Sequence, residues 1–200
     1  MARKFTQIAF TPAVKAIQDK YGSRETYARM EESGLENDTL IPHIAEFVEA
    51  RDSFYMGTTN EKGWPYIQFR GGPIGFLKVL DRKTLGFADF SGNGQYLSIG
   101  NLETSDRVFL FLMDYANRRR LKIWGRAKVE CDRPDLVEQL RVSGYRANVE
   151  RAIVIRVEAW DWNCPQHIPL KYSEEQVAEI MAPLQSRIRE LETQLESLTD

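Results

Sequence analysis

The chain has 200 residues, 42% of them hydrophobic and 28% charged, an ordinary globular composition with apolar material for one sizeable core or two modest ones. A formal charge of −2 and a pI near 5.8 exclude binding to nucleic acid or an anionic membrane through bulk charge. Cys131 and Cys164 have no partner at metal-ligand spacing and read as reduced thiols; no signal-peptide core and no apolar run of the roughly 20 residues a membrane span needs is present, so the expected address is the cytoplasm.

Thr11-Pro12 is a cap followed by proline at the first helical position, and Val14, Ile17, Tyr21, Tyr27 and Met30 recur at helical intervals broken by Gly22-Ser23. Two short helices are predicted over residues 11–32. A third covers 41–50, where Ile44, Phe47 and Val48 share a face. From Asp52 aromatic and β-branched residues alternate with polar ones, and turn residues come about every ten positions, the texture of a strand-rich module. Predicted strands cover 54–59, 64–70, 75–80, 85–90, 108–113, 120–129 and 152–159. The apolar run 108–113 reads as buried on both faces, and Gln95 to Ile99 as a helical turn. Asp132-Arg133-Pro134-Asp135 caps a helix reaching about Ser143. The tail from Ser173 is a capped helix in which Leu184, Ile188, Leu191, Leu195 and Leu198 form a stripe, to be packed on its own domain or on a dimer mate.

Two histidines, His43 and His167, are too few and too distant for a zinc site or a hydrolytic triad, and no metal is expected. His167 lies in Asp161-Trp162-Asn163-Cys164-Pro165-Gln166-His167, which reads equally as a functional loop or as one anchored by its tryptophan. Glycine is more informative. Gly71-Gly72-Pro73-Ile74-Gly75 interrupts strand-forming residues, and Gly92-Asn93-Gly94-Gln95 stands between a strand and a helical turn, where backbone N–H groups can cradle a phosphate. Neither matches a dinucleotide or P-loop fingerprint, and each alone is more often a turn. In Asn117-Arg118-Arg119-Arg120-Leu121-Lys122, strand alternation places Arg118, Arg120 and Lys122 on one face, either as a solvated hairpin or around an anion.

Four segments, RGGPxGF (70–76), FADFxGNxQY (87–96), NRRRLK (117–122) and WNCPQHI (162–168), together resemble a bacterial subgroup of the pyridoxamine 5'-phosphate oxidase-related flavoproteins, over roughly residues 45–160. The resemblance implies a mainly β fold with flanking helices (α+β): an antiparallel split β-barrel with N-terminal helices and a long C-terminal helix. Residues 1–50 would be a helical segment packed on the barrel, 51–170 the FMN-binding barrel and 171–200 the C-terminal helix, one domain overall. It further implies a homodimer with FMN at the subunit interface, acting as an oxidoreductase on a small-molecule substrate with NAD(P)H as a candidate donor. Carried over by position, Arg70, Lys78, Asn93 and Gln95 would line the phosphate and ribityl chain, beside the bend Gly71, Gly72 and Pro73 and the backbone of Ala88, Asp89 and Phe90. Arg119 and Arg120 would reach the cofactor from the basic strand, and Trp162, Asn163 and His167 would lie near it. Gly94 stands where the subgroup has a basic residue; that loss removes a charge-assisted phosphate contact of about 1.5 to 3 kcal/mol. The arginine- and histidine-bearing motif with which true pyridoxamine-phosphate oxidases hold substrate is missing, so vitamin B6 oxidation is not expected. No residue stands out as a catalytic acid or base, and a non-catalytic module binding flavin, haem or a small ligand is the alternative reading.

Overall fold

The computed structural model describes residues 3–32 and 36–199, and within them the chain forms seven β-strands and seven helices. The N-terminal region holds three short helices rather than two: α1 (Lys4–Ala9), α2 (Pro12–Lys20) and α3 (Arg24–Glu32). The hydroxyl of Thr11 accepts from the Val14 N–H at 3.3 Å and so caps α2 as the sequence predicts. Helix α1 precedes the first cap signal; its Phe5 is buried and stacks 6.0 Å from Trp124, so tertiary packing rather than local propensity makes it. Helix α4 (Pro42–Glu49) buries Ile44, Phe47 and Val48, the face read from their spacing.

The strands are β1 (Ser53–Thr59), β2 (Pro65–Gly71), β3 (Lys78–Asp81), β4 (Thr84–Phe90), β5 (Arg107–Asp114), β6 (Arg119–Glu130) and β7 (Val149–Trp162). Helix α5 (Leu97–Thr104) follows β4, α6 (Pro134–Leu140) lies between β6 and β7, and α7 (Glu174–Thr199) follows β7. The sheet order is β2-β1-β5-β6-β7-β4-β3. Strand β1 pairs antiparallel with β2 and β5, β4 with β3, and β7 with β4 and β6. The sheet curls on itself as a split barrel. Phe54 of β1 reaches across to Phe76, stacked at 5.6 Å, and edge-on to Phe87 of β4 at 5.3 Å. Around them Ile44, Val48, Met56, Leu77, Leu85, Leu110, Leu112, Leu121, Ile123, Ile153 and Ile155 complete the core.

Burial on both faces falls on a different strand from the one expected. Strand β5 alternates buried and half-buried residues, so its apolar run is not enclosed on both sides. Strand β4 is: Leu85 and Phe87 face the barrel, while Gly86 and Ala88 lie beneath α6. A Cβ at Gly86 would sit 2.8 Å from Leu80 Cδ1 and 2.9 Å from Leu140 Cδ2, so glycine lets that helix approach. The predicted strand 75–80 also shortens. Gly71 ends β2, the Gly72 N–H donates to Asp52 O at 2.9 Å, and Phe76 N donates to Pro73 O at 3.0 Å, a turn that carries Phe76 into the core. A Cβ at Gly72 would meet the Phe76 ring at 2.8 Å, so this bend is shaped by packing.

The described chain clusters into two units: residues up to Met113 together with Arg120–Cys164, and Asp114–Arg119 together with the chain from Pro165 onward. In the second unit Asn117 bonds the Asp114 carboxylate, Lys171 lies 4.7 Å from the Tyr115 ring centroid, and α7 runs 26 residues through an internal Pro183. No described helix is both long and apolar enough to cross a membrane.

Candidate functional site

Strand β2 has an inverted pattern. Its alternate residues Pro65, Ile67 and Phe69 point outward and are exposed, whereas Tyr66, Gln68 and Arg70 are half-buried on the other face. That polar face lines a groove of about 200 Å³, whose other walls are Asp89 and Phe90 of β4, the loop Gly92 to Tyr96, the start of α5 and Glu150. A second hollow of about 160 Å³ shares Gln68, Arg70, Asp89 and Phe90 with it and continues to Gly71, Phe76 and Ala88.

Electrostatics inside the groove form a closed chain. Arg70 Nη1 donates to Asp89 Oδ1 at 2.5 Å, Arg151 Nε lies 3.4 Å from Asp89 Oδ2, and Arg151 also bonds Glu150. Two cations and two anions cancel, so this groove carries no net charge of its own. Asp89 is almost fully buried; burial pushes its carboxyl upward, and the two guanidiniums oppose that shift. The Nε atoms of Arg70 and Arg151 are buried and make no hydrogen bond among the described residues. The Arg151 guanidinium lies over the Tyr96 ring, 5.1 Å from its centroid, and that of Arg70 over the Phe87 ring at 5.7 Å, both within reach of a cation–π attraction.

The loop then delivers a helix end. The Gln95 N–H donates to Asn93 Oδ1 at 3.1 Å, Gly94 takes φ of +74°, and Tyr96 is left-handed at φ of 52°. Tyr96 is the N-cap of α5 and provides no side-chain cap, and the first intrahelical bond runs from Gly100 N to Tyr96 O at 2.8 Å. The N–H groups of Leu97, Ser98 and Ile99 therefore lack intrahelical partners at the positive end of the helix dipole, on the groove wall. Ser98 Oγ donates to Gln68 Oε1 at 2.6 Å, and Asn101 Nδ2 to Thr58 Oγ1 at 2.9 Å, which lock α5 onto β2 and β1.

Of the residues predicted from sequence, the two hollows bring together Arg70, Gly71, Ala88, Asp89, Phe90, Asn93, Gly94 and Gln95. Gly72 and Pro73 belong to the turn over Phe76. Lys78 Nζ donates to the carbonyls of Gln139 and Arg141 at 2.7 and 3.0 Å, at the end of α6. The basic run is not a one-face row of cations: Arg118 sits in the turn at φ of 50°, and the strand begins at Arg119. Arg120 Nε donates to Cys164 O at 3.0 Å, Lys122 pairs with Asp161 at 2.7 Å, and Asn163 N donates to Arg120 O at 3.0 Å. Trp162 stands edge-on to Phe47 at 4.8 Å and lines a different cavity, of about 870 Å³, with Trp160, His43 and Asn37. His167 and Arg119 fall in the second unit. Sequence reasoning did not place Gln68, Ser98, Glu150 or Arg151 in the site. Gln68 had a signal, since it alternates with Ile67 and Phe69 in phase with Arg70, whereas Arg151 joins only through the register that sets it opposite Asp89. No group of His, Cys, Asp or Glu able to hold a metal exists among the described residues.

An antiparallel split barrel flanked by helices, with a polar groove between β2, β4 and the start of α5, defines the class of fold. The profile of the Pyridoxamine 5'-phosphate oxidase family matches residues 40–164, more than half the chain, and the chain belongs to that family. Among solved structures it is similar to HupZ of Group A Streptococcus (14% identity, TM-score 0.50, covering 66% of this chain and 98% of that one). It is likewise similar to a candidate pyridoxamine 5'-phosphate oxidase of Lactobacillus delbrueckii (16% identity, TM-score 0.50, covering 64% and 97%). At these identities the likeness is one of fold. No curated protein matches the sequence.

Proposed function

We propose that the groove between β2, β4 and α5 binds FMN, and that the protein is a homodimeric flavin-dependent oxidoreductase. The observation carrying this reading is the uncapped N-terminus of α5 beside the Arg70 guanidinium: three N–H donors without intrahelical partners suit a phosphate group. The residues fit the cofactor in other respects. Gln68, Asn93 and Gln95 offer amides to a polyol chain, and the half-buried Phe90, shared by the groove and the adjoining hollow, offers an aromatic side to a flat ring. Bound flavin would supply hydride or electron transfer; the chain's own residues bind, orient and shield. The outward face of β1, β2 and β5, with Tyr55, Ile67, Phe69, Phe109 and Phe111 in register, is the surface we assign to the second subunit.

A second reading, a binding module without turnover, is favoured by one feature. Asp89 and Glu150, the acidic groups on the groove, are both tied to arginines, so neither is poised to move a proton. Titration of FMN into the purified protein, followed by flavin fluorescence and by thermal melting, tests the shared premise: saturable quenching with a rise in melting temperature supports it, and neither signal refutes it. Reduction of the bound flavin by NADH or NADPH then supports the oxidoreductase, whereas flavin that no donor reduces supports the module.

A further inference from the structure

We infer that α7 is half of a parallel two-stranded coiled coil whose other half is the same helix of a second copy of this chain. The helix runs 26 residues, about 39 Å at 1.5 Å per residue, and every described side chain along it is exposed. Beside the stripe lies Ile180, exposed by 55%; on the stripe Val177 by 46%, Met181 by 42%, Leu184 by 55%, Ile188 by 54%, Leu191 by 42% and Leu198 by 82% are strongly exposed. Together with Leu195 they keep one unbroken heptad register. Met181, Ile188 and Leu195 occupy a; Val177, Leu184, Leu191 and Leu198 occupy d. The stripe seen from the sequence thus extends one heptad before Pro183. Pro183 falls at c, so its side chain stays off the seam; its missing N–H removes one backbone bond there, and the seam from Leu184 to Leu198 lies beyond it.

The flanking charges choose the partner and its direction. Between Val177 and Leu198 the g positions are Ile180, Arg187 and Gln194, and the e positions are Ala178, Gln185 and Glu192. A parallel, in-register pair sets each g against the e of the next heptad on its mate. Arg187 then meets Glu192 of the other copy, twice by symmetry. An antiparallel pair sets g against g and e against e. No g position is acidic and no e position is basic, so that arrangement has no opposite-charge pair to offer. Arg187 already donates to Glu190 on its own helix at 2.9 Å through one Nη, which leaves further guanidinium donors for the mate. Isoleucine at the central a position with leucine at the adjoining d positions is the composition that favours two strands.

Site-directed cross-linking of the full-length chain tests this without involving the groove. In a Cys131→Ser, Cys164→Ser background, Leu191→Cys on the seam should form disulfide-linked pairs on mild oxidation, and Ser186→Cys at f should not. Adding Arg187→Glu to the Leu191→Cys chain should weaken association about tenfold, and adding Glu192→Arg as well should restore it. Equal cross-linking at positions 191 and 186, or none at either, overturns the inference. So does a charge reversal without effect. Flavin binding unchanged throughout shows that the two readings stand or fall separately.

Discussion

Replacing Gly94 by arginine puts a cation into the loop that precedes α5 and separates the phosphate from the rest of a flavin. Gly94 has φ of +74°, and a Cβ built there meets nothing within 4 Å, so the new side chain has room but an unfavourable backbone. A left-handed conformation costs an L-residue about 1 to 2 kcal/mol, borne by the unliganded protein. One charge-assisted contact to phosphate is worth about 1.5 to 3 kcal/mol, a tenfold or greater gain in affinity. The groove starts from balance, Arg70 and Arg151 against Asp89 and Glu150, so the added charge is not quenched by a surplus of acid. Gly94→Arg should therefore melt slightly below the wild type without ligand, bind FMN about tenfold tighter, and bind riboflavin, which lacks the phosphate, with unchanged affinity. Parallel fluorescence titrations with the two flavins measure this. Equal shifts for both, or no shift for FMN, would refute a phosphate position beside residues 92–98. Raising the salt concentration should erase much of the gain.

Lys78→Met should lower stability by about 1 kcal/mol by removing the cation that serves the α6 carbonyls, and leave FMN affinity unchanged; a tenfold loss of affinity would return Lys78 to the site. Gly125→Ala should cost about 1 to 3 kcal/mol, read as a lower urea midpoint at constant slope. Its Cβ would come 2.7 Å from Ile155 Cγ2 and 2.8 Å from Arg156 O, where the pairing of β6 with β7 shifts register. Asp38 is held below its usual pKa chiefly by its hydrogen bond from Lys83, at 2.8 Å. A depressed carboxyl stabilises the fold above its unfolded pKa, and this contribution disappears as pH falls through the folded value. Asp38→Asn should thus be the less stable protein at neutral pH, by about 1 kcal/mol, with the gap closing below about pH 4 in acid-unfolding curves.

The strand segments, the α4 face and the long last helix were legible because each rests on a local period. The misread parts have non-local causes. Helix α1 exists through Phe5 on Trp124, and the double burial of β4 rather than β5 depends on α6 arriving over Gly86. In the site, Arg70 and the loop 92–95 stood out as chemistry in an unusual place, glycine beside charge within strand texture. Glu150 and Arg151 did not, because nothing near them in sequence says that they face Asp89. The basic run misled for a physical reason: strand alternation was extended through Arg118, but the chain turns there, and Lys122 is neutralised by Asp161.

The most direct test of the account is a crystal structure of the protein with FMN. The phosphate should lie within hydrogen-bonding distance of the Leu97 and Ser98 N–H groups, with the ring system against Phe90. A flavin whose phosphate lies elsewhere, or a groove that stays free of FMN at saturating concentration, would contradict it.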